Sequence, residues 1–117
     1  MALELEQVMI DAVDPVALGR WWAEALRWAI VCDDHDEFEI QPSPGHLPGI
    51  MFERVTEPKA TKNRLHLDLR PDDHAAEVER LLGLGATRVD VGQGDVSWVV
   101  LADPEGNEFC VLADHRP

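Results

Sequence analysis

Leucines alternate strictly with polar residues over 64–70, near the middle of the chain. A period of two is typical of a β-strand, in which successive side chains point to opposite faces of the sheet. The leucines are therefore expected to face a core, while His66 and Asp68 lie on the other face. A polar strand face is either solvated or part of a binding site, so the pattern raises a functional question.

The rest of the pattern predicts two helices and a series of further strands. Asp14 before Pro15 is typical of an N-cap and a first helical position, and apolar residues then recur at helical spacing. Asp72 or Asp73 is expected to cap a second helix, which ends near Gly83. Alternating or apolar runs bounded by turn residues predict strands over 3–12, 28–32, 37–41, 50–55, 87–91, 96–101 and 107–112.

In chain order these elements give βαβββ twice, which indicates an internal duplication. An offset of 59 residues (66 minus 7) places Gln7 on His66 and superposes the two helix caps. An offset of 57 residues (106 minus 49) aligns Gly49 with Gly106, near the closing strands, and places Glu53 on Cys110. We predict an α+β fold in a single domain of residues 1–117, with module one over about 3–56, a connector over about 57–63 and module two over about 64–113.

Composition narrows the choice of partners. The 117-residue chain has 10 Lys plus Arg against 23 Asp plus Glu, a formal net charge of −13. Such an excess repels phosphate backbones and anionic membranes, so neither nucleic acid nor a membrane is a predicted partner. Two cysteines do not make a disulfide framework, and the sequence shows no signal-like or membrane-spanning apolar run. We therefore expect a cytoplasmic protein.

The sequence resembles the vicinal oxygen chelate superfamily (glyoxalases, bleomycin-resistance proteins and dioxygenases), and within it the small glyoxalase-like domain proteins. The resemblance rests on the doubled βαβββ pattern and on three motifs: Val8-Met9-Ile10-Asp11 before Asp14-Pro15, Leu65-His66-Leu67-Asp68-Leu69, and Asp103-Pro104-Glu105-Gly106-Asn107. It implies that each module forms a curled mixed sheet, that the modules surround a cavity for a small molecule, and that the protein is a homodimer.

The resemblance also implies a divalent metal held by residues on the first and last strands of the modules. It assigns the ligand positions to Gln7, Glu53, His66 and Cys110. The first three match a glyoxalase I with Gln, Glu, His and Glu ligands, and Cys110 stands where that family has its second Glu. Zinc, nickel or iron is the expected ion, and zinc also accepts a thiolate. Glu53 or Glu108 would be the catalytic carboxylate that moves a proton.

Two functions follow from the resemblance. One is a metal-dependent lyase or isomerase of the glyoxalase type, acting on a small substrate with adjacent oxygens. The other is non-catalytic, metal-free binding of a cationic drug, as in bleomycin-resistance proteins, through charge and aromatic stacking. A scaffold without a site is a third alternative, and iron-dependent ring cleavage fits less well because Gln7 replaces a histidine of the facial triad. For a ligand pocket we expect Met9, Met51, Asp68 and Trp98.

Overall fold

A computed structural model of the chain describes residues 2–89 and 99–112 and divides it into two compact units, Met1–Pro58 and Lys59–Pro117. The first unit consists of β1 (Gln7–Ala12), α1 (Pro15–Leu26), β2 (Ala29–Asp33), β3 (Glu37–Gln41) and β4 (Gly49–Arg54). The second unit consists of β5 (Leu67–Leu69), α2 (His74–Gly83), β6 (Thr87–Arg88), β7 (Val99–Ala102) and β8 (Glu108–Val111). The predicted α+β fold of two tandem βαβββ modules is confirmed.

The first unit is a four-stranded mixed sheet, in the order β1-β4-β3-β2, with α1 against one face. Strands β1 and β4 run parallel and the other neighbours antiparallel. The helix begins as predicted, because the Asp14 carboxylate accepts a hydrogen bond of 3.1 Å from the Ala17 amide. Trp22 on its inner face is buried with Phe38 and Phe52 of the sheet. Because this apolar layer covers one face of the sheet, only the opposite face is available to bind a ligand.

The second unit repeats this arrangement with the sheet order β5-β8-β7-β6, in which β5 and β8 run parallel. Asp73 caps α2 by accepting a hydrogen bond of 3.1 Å from Ala76, so of the two predicted caps the second is used. Val78 and Leu81 of α2 are buried, as is Phe109 of β8. The helix ends at Gly83, where the sequence predicts its end.

A tight turn sets the start of β8. The carboxylate of Asp103, which is buried, accepts hydrogen bonds from the amides of Glu105 (2.9 Å) and Asn107 (3.0 Å) and from the Asn107 side chain. Gly106 has φ of +88°, a conformation that favours glycine. The turn therefore places β8, and with it Cys110, at a defined position beside β5.

The first strand of each unit is shorter than the alternation predicts. The strand predicted over 64–70 is reduced to Leu67–Leu69, and Leu65 is 85% exposed instead of facing the core. The ladder between β5 and its parallel partner β8 starts with Leu67 and Phe109. Since β8 begins at Glu108, it has no residue opposite the positions before His66. The strand predicted over 3–12 begins at Gln7. Alternation marks residues that suit a strand, whereas the length of the neighbour decides how many of them pair.

The prediction over 87–91 gives a two-residue strand, Thr87–Arg88, within its described part, and the one over 96–101 falls partly outside the described residues. Over residues 2–89 and 99–112, no helix has the length and apolar character that a bilayer span requires. The single domain over 1–117 stays a prediction.

Candidate functional site

Three potential metal ligands converge on one face of the second sheet. Asp68 on β5 is paired in register with Cys110 on β8, and His66 lies two residues before Asp68 on the same face. The His66 Nδ1 atom is 3.1 Å from Asp68 Oδ1 and 3.9 Å from Cys110 Sγ. One ligand atom from each residue lies within 4.8 Å of the other two. The parallel ladder therefore brings a nitrogen, an oxygen and a sulfur donor together.

The electrostatics of this cluster keep its thiol neutral. Burial raises the pKa of Cys110, which is only 8% exposed, and the Asp68 charge raises that pKa further, while Lys62 acts in the opposite direction. The side chains of His66 and Asp68 are about half exposed, at 45% and 50%. A thiol binds a metal as the thiolate, so coordination by Cys110 would require loss of its proton. The exposed imidazole and carboxylate leave one side of the cluster open to a ligand.

The donor set fits a zinc-class ion. Imidazole, carboxylate and thiolate are all zinc ligands, and three protein ligands with one open position are typical of catalytic zinc sites. Magnesium and calcium instead require oxygen ligands and would use only the Asp68 carboxylate here. The cluster of His66, Asp68 and Cys110 is called the unit-two cluster below.

In the first unit the other two predicted ligands lie at different levels of the sheet. Gln7 on β1 pairs with Gly49, whereas Glu53 on β4 pairs with Asp11. Gln7 and Glu53 are thus four residues apart along parallel strands, or roughly 13 Å at the rise of a β-strand. Of the four predicted metal ligands, the structure brings His66 and Cys110 together.

Strand pairing also corrects the repeat correspondence. In the first unit Met9 pairs with Met51, and in the second Asp68 pairs with Cys110. Both members of one pair are 59 residues from those of the other (68 minus 9, and 110 minus 51). The partners are 42 residues apart in both units (51 minus 9, and 110 minus 68), so one offset must relate both pairs of strands. The observed helix caps, Asp14 and Asp73, are 59 residues apart, so that offset is 59 and the offset of 57 was wrong. The counterpart of Cys110 is therefore Met51. Glu53 is not equivalent to Cys110 in the repeat, and its role as a metal ligand stays a prediction.

The predicted catalytic carboxylate Glu108 is occupied by other contacts. Its Oε2 atom is 3.1 Å from Lys59 Nζ, and its Oε1 atom accepts a hydrogen bond of 3.2 Å from the Asn63 amide. Burial opposes ionisation, but the hydrogen bonds from Asn63 and Lys59 outweigh it and lower the pKa of Glu108. The carboxylate is consequently a weak base, which does not favour proton abstraction at neutral pH.

Carboxylates form a row across the open face of the first sheet. Glu53 on β4 pairs with Asp11 on one side and with Glu37 on the other, and all three are exposed. Like charges directly opposite each other on neighbouring strands destabilise a sheet. The row is a source of repulsion that a bound cation would relieve.

Comparison with known proteins identifies the family. The model of the glyoxalase-like domain family matches residues 7–112, nearly the whole chain. The chain belongs to the glyoxalase-like domain family. A search of curated proteins gives no significant match.

Solved structures of this family's fold include both enzymes and binding proteins. The chain is similar to a glyoxalase/bleomycin resistance protein/dioxygenase family enzyme from Burkholderia phytofirmans PsJN, with a TM-score of 0.76, 17% identity, and coverage of 97% of this chain and 100% of that one. It is similar to the oxidase ChaP-H2, with a TM-score of 0.70, 15% identity, and coverage of 100% and 96%. It is also similar to the bleomycin-binding protein of Streptomyces verticillus, solved with copper(II)-bleomycin, with a TM-score of 0.65, 17% identity, and coverage of 98% and 99%. At these identities the likeness shows the fold alone.

The predicted pocket residues are found in different places. Met9 and Met51 are paired neighbours on the open face of the first sheet, and Met9 is exposed. Asp68 belongs to the unit-two cluster, and Trp98 lies outside the described residues. Asp68 as a potential ligand was missed, although its position two residues after His66 in an alternating run already places both on one face.

Proposed function

We propose that this glyoxalase-like domain binds a divalent ion of the zinc class through His66, Asp68 and Cys110 and uses it to hold a small molecule with two adjacent oxygens. The observation that supports this proposal is the convergence of three different donor atoms within 4.8 Å. When bound, such an ion would polarise the oxygens of its ligand. The donor set departs from that of a Gln, Glu, His, Glu glyoxalase, because Asp68 and Cys110 provide the anionic donors.

The three proposed ligands would have different roles in the site. Cys110 is the buried donor, whereas His66 and Asp68 stand at the open side, where a small molecule approaches. A lyase or isomerase of the glyoxalase type also requires a base that moves a proton. Glu108 is held by Lys59, so Glu53 is the carboxylate that we retain for this role.

Metal analysis of the purified protein tests the proposal. We expect near-stoichiometric zinc or nickel, or full loading after addition of either ion, and loss of that metal in His66→Ala and Asp68→Asn. His46→Ala is the matched control, because His46 is an exposed histidine in a loop of the first unit. Cobalt substitution should give a thiolate-to-metal absorption band that Cys110→Ser removes. A wild-type protein that takes up none of these ions at micromolar concentration would exclude the proposal.

A second function is favoured by the carboxylate row. Asp11, Glu53 and Glu37 repel one another on an exposed sheet face in a chain with a net charge of −13, and both features suit a flat cationic ligand. We infer that metal-free drug binding of the bleomycin-resistance type is the alternative. Chelator-treated protein should then melt at a higher temperature with a cationic aromatic drug, and Glu53→Gln should reduce that shift. An unchanged melting temperature would count against it.

Cytoplasmic location and homodimerisation are further proposals. Cys32 and Cys110 are both free, as is usual in reducing compartments. Light scattering at micromolar concentration tests the dimer, and a monomeric mass would exclude it under those conditions.

A further inference from the structure

We infer that Glu108 is a positioning residue for the proposed metal site: its side chain holds the segment that carries His66 beside the strand that carries Cys110. This inference rests on the metal binding proposed above. It adds a set of supporting contacts made by residues that are not themselves metal ligands.

His66 requires supporting contacts because it lies just outside the regular sheet. The ladder between β5 and β8 begins with the pair Leu67 and Phe109, so His66 precedes the first paired position. The side chain of Leu65 is 85% exposed and provides little apolar anchorage. Besides the contacts of the imidazole with Asp68 and Cys110, its position therefore depends on contacts made further upstream in the chain.

Those contacts converge on Glu108. Its Oε1 atom accepts a hydrogen bond of 3.2 Å from the Asn63 amide, and its backbone carbonyl accepts one of 3.3 Å from Asn63 Nδ2. Its Oε2 atom is 3.1 Å from Lys59 Nζ, and Lys59 also donates to the carbonyl of Thr61. Two side chains and one amide of the segment 59–63 are thus attached to a single residue of β8. We call these contacts the Glu108 clasp.

The location of the clasp connects it to the ligands. Glu108 lies two residues before Cys110 on the same face of β8, and Asn63 lies three residues before His66. Continued by one step, the observed register places His66 opposite Glu108. The clasp therefore fixes the distance between the chain segments that carry the imidazole and the thiol.

The environment of the clasp makes it stronger than a surface ion pair. The side chains of Lys59 and Glu108 are only 20% and 15% exposed. Water and salt screen such a pair less than an exposed one, and hydrogen bonds to a charged acceptor are among the stronger ones in proteins. In metal sites, partners that orient the ligands typically change the affinity by about 10- to 100-fold when they are removed.

The experiment compares Glu108→Ala with Glu77→Ala, a control that removes another paired carboxylate of the same unit, the partner of Arg80 on α2. Zinc affinity is measured by competition with a chromophoric chelator. We expect Glu108→Ala to weaken zinc binding about 10- to 100-fold and Glu77→Ala to leave it within about twofold. Lys59→Met keeps the carboxylate and removes its partner at Oε2. It should weaken zinc binding by a smaller factor, and it decides the question if Glu108→Ala does not fold.

Amide hydrogen exchange of the metal-free protein separates this inference from the proposed function. Exchange over 64–67 should be faster in Glu108→Ala than in wild type, whereas Glu77→Ala should leave it unchanged. Unaltered zinc affinity in a folded Glu108→Ala protein would overturn the inference. If wild type binds no zinc but exchange over 64–67 is faster in Glu108→Ala, the proposed metal binding is rejected and the role of Glu108 in holding this segment stands. If wild type binds no zinc and exchange is unchanged, both are rejected.

Discussion

Gly19 offers a sharp test of how the first unit is packed. A Cβ atom added there would lie 2.1 Å from Cδ1, 2.7 Å from Cε1 and 2.8 Å from Cγ of Phe38. The ring is fully buried and has Arg20 over it at 5.7 Å, so it has little room to move away. Overpacking costs about 1–3 kcal/mol, whereas Gly to Ala within a helix gains up to about 1 kcal/mol. An overlap at 2.1 Å corresponds to the upper end of that cost, so after subtracting the helix gain we expect Gly19→Ala to lower the free energy of unfolding by about 2 kcal/mol.

Urea unfolding followed by tryptophan fluorescence measures this effect, because Trp22 is buried on the same helix. Gly83→Ala is the matched control: it is the last residue of α2, and an added Cβ would meet no atom within 4 Å. Its midpoint should equal or exceed that of wild type, since alanine favours the helix and restricts the unfolded chain. A Gly19→Ala protein as stable as Gly83→Ala would refute the packing of α1 on Phe38.

Three further predictions concern single carboxylates. Asp103→Ala should lower the free energy of unfolding by about 2–3 kcal/mol, because the buried turn loses the acceptor for Asn107, and thermal unfolding measures it. The pKa of Glu108 is lower in the folded state than the unfolded value of about 4.3, so its ionised form stabilises the fold. That contribution is complete above the unfolded pKa and is lost as the pH falls through the folded-state pKa. Acid unfolding should therefore show a loss of stability in wild type that Glu108→Gln lacks. Glu53→Gln should raise the melting temperature slightly at low salt, since it relieves repulsion from both neighbouring strands, and 1 M salt should cancel the difference.

The parts of the fold that depend on local chemistry could be predicted from the sequence. Asp14 and Asp73 cap the two helices, and the strand predicted over 37–41 is found at Glu37–Gln41. A cap or an alternating run depends on residues only a few positions apart, so a single sequence contains the whole signal. The resemblance to the superfamily, based on such motifs, is likewise confirmed by the family match.

The correspondence between the two modules depends on loop lengths, and the sequence-based prediction of this correspondence was wrong. Gly49 and Gly106 were aligned as equivalent, yet they are glycines for different reasons. Gly106 has φ of +88° in a turn, whereas Gly49 is a strand residue whose added Cβ would lie 2.9 Å from the Ile40 carbonyl oxygen. The paired residues Ile40 and Ile50 are 10 apart, but the equivalent pair in the second unit is 8 apart (109 minus 101), so the first connection is longer by two. Residue type alone cannot distinguish a turn glycine from one at a close backbone approach.

The corrected register changes which module is suited to a metal. Subtracting 59 from the members of the unit-two cluster gives Gln7, Met9 and Met51, an amide and two thioethers that are poor ligands for a zinc-class ion. The duplication has therefore kept three strong donors in the second module and none of them at the equivalent positions of the first. If that module alone supplies the protein ligands, Gln7→Ala should leave zinc affinity within about twofold of wild type, while Asp68→Asn lowers it by at least about tenfold. A tenfold loss in Gln7→Ala would instead show that the ion also takes its ligands from the first module, as the superfamily resemblance implies.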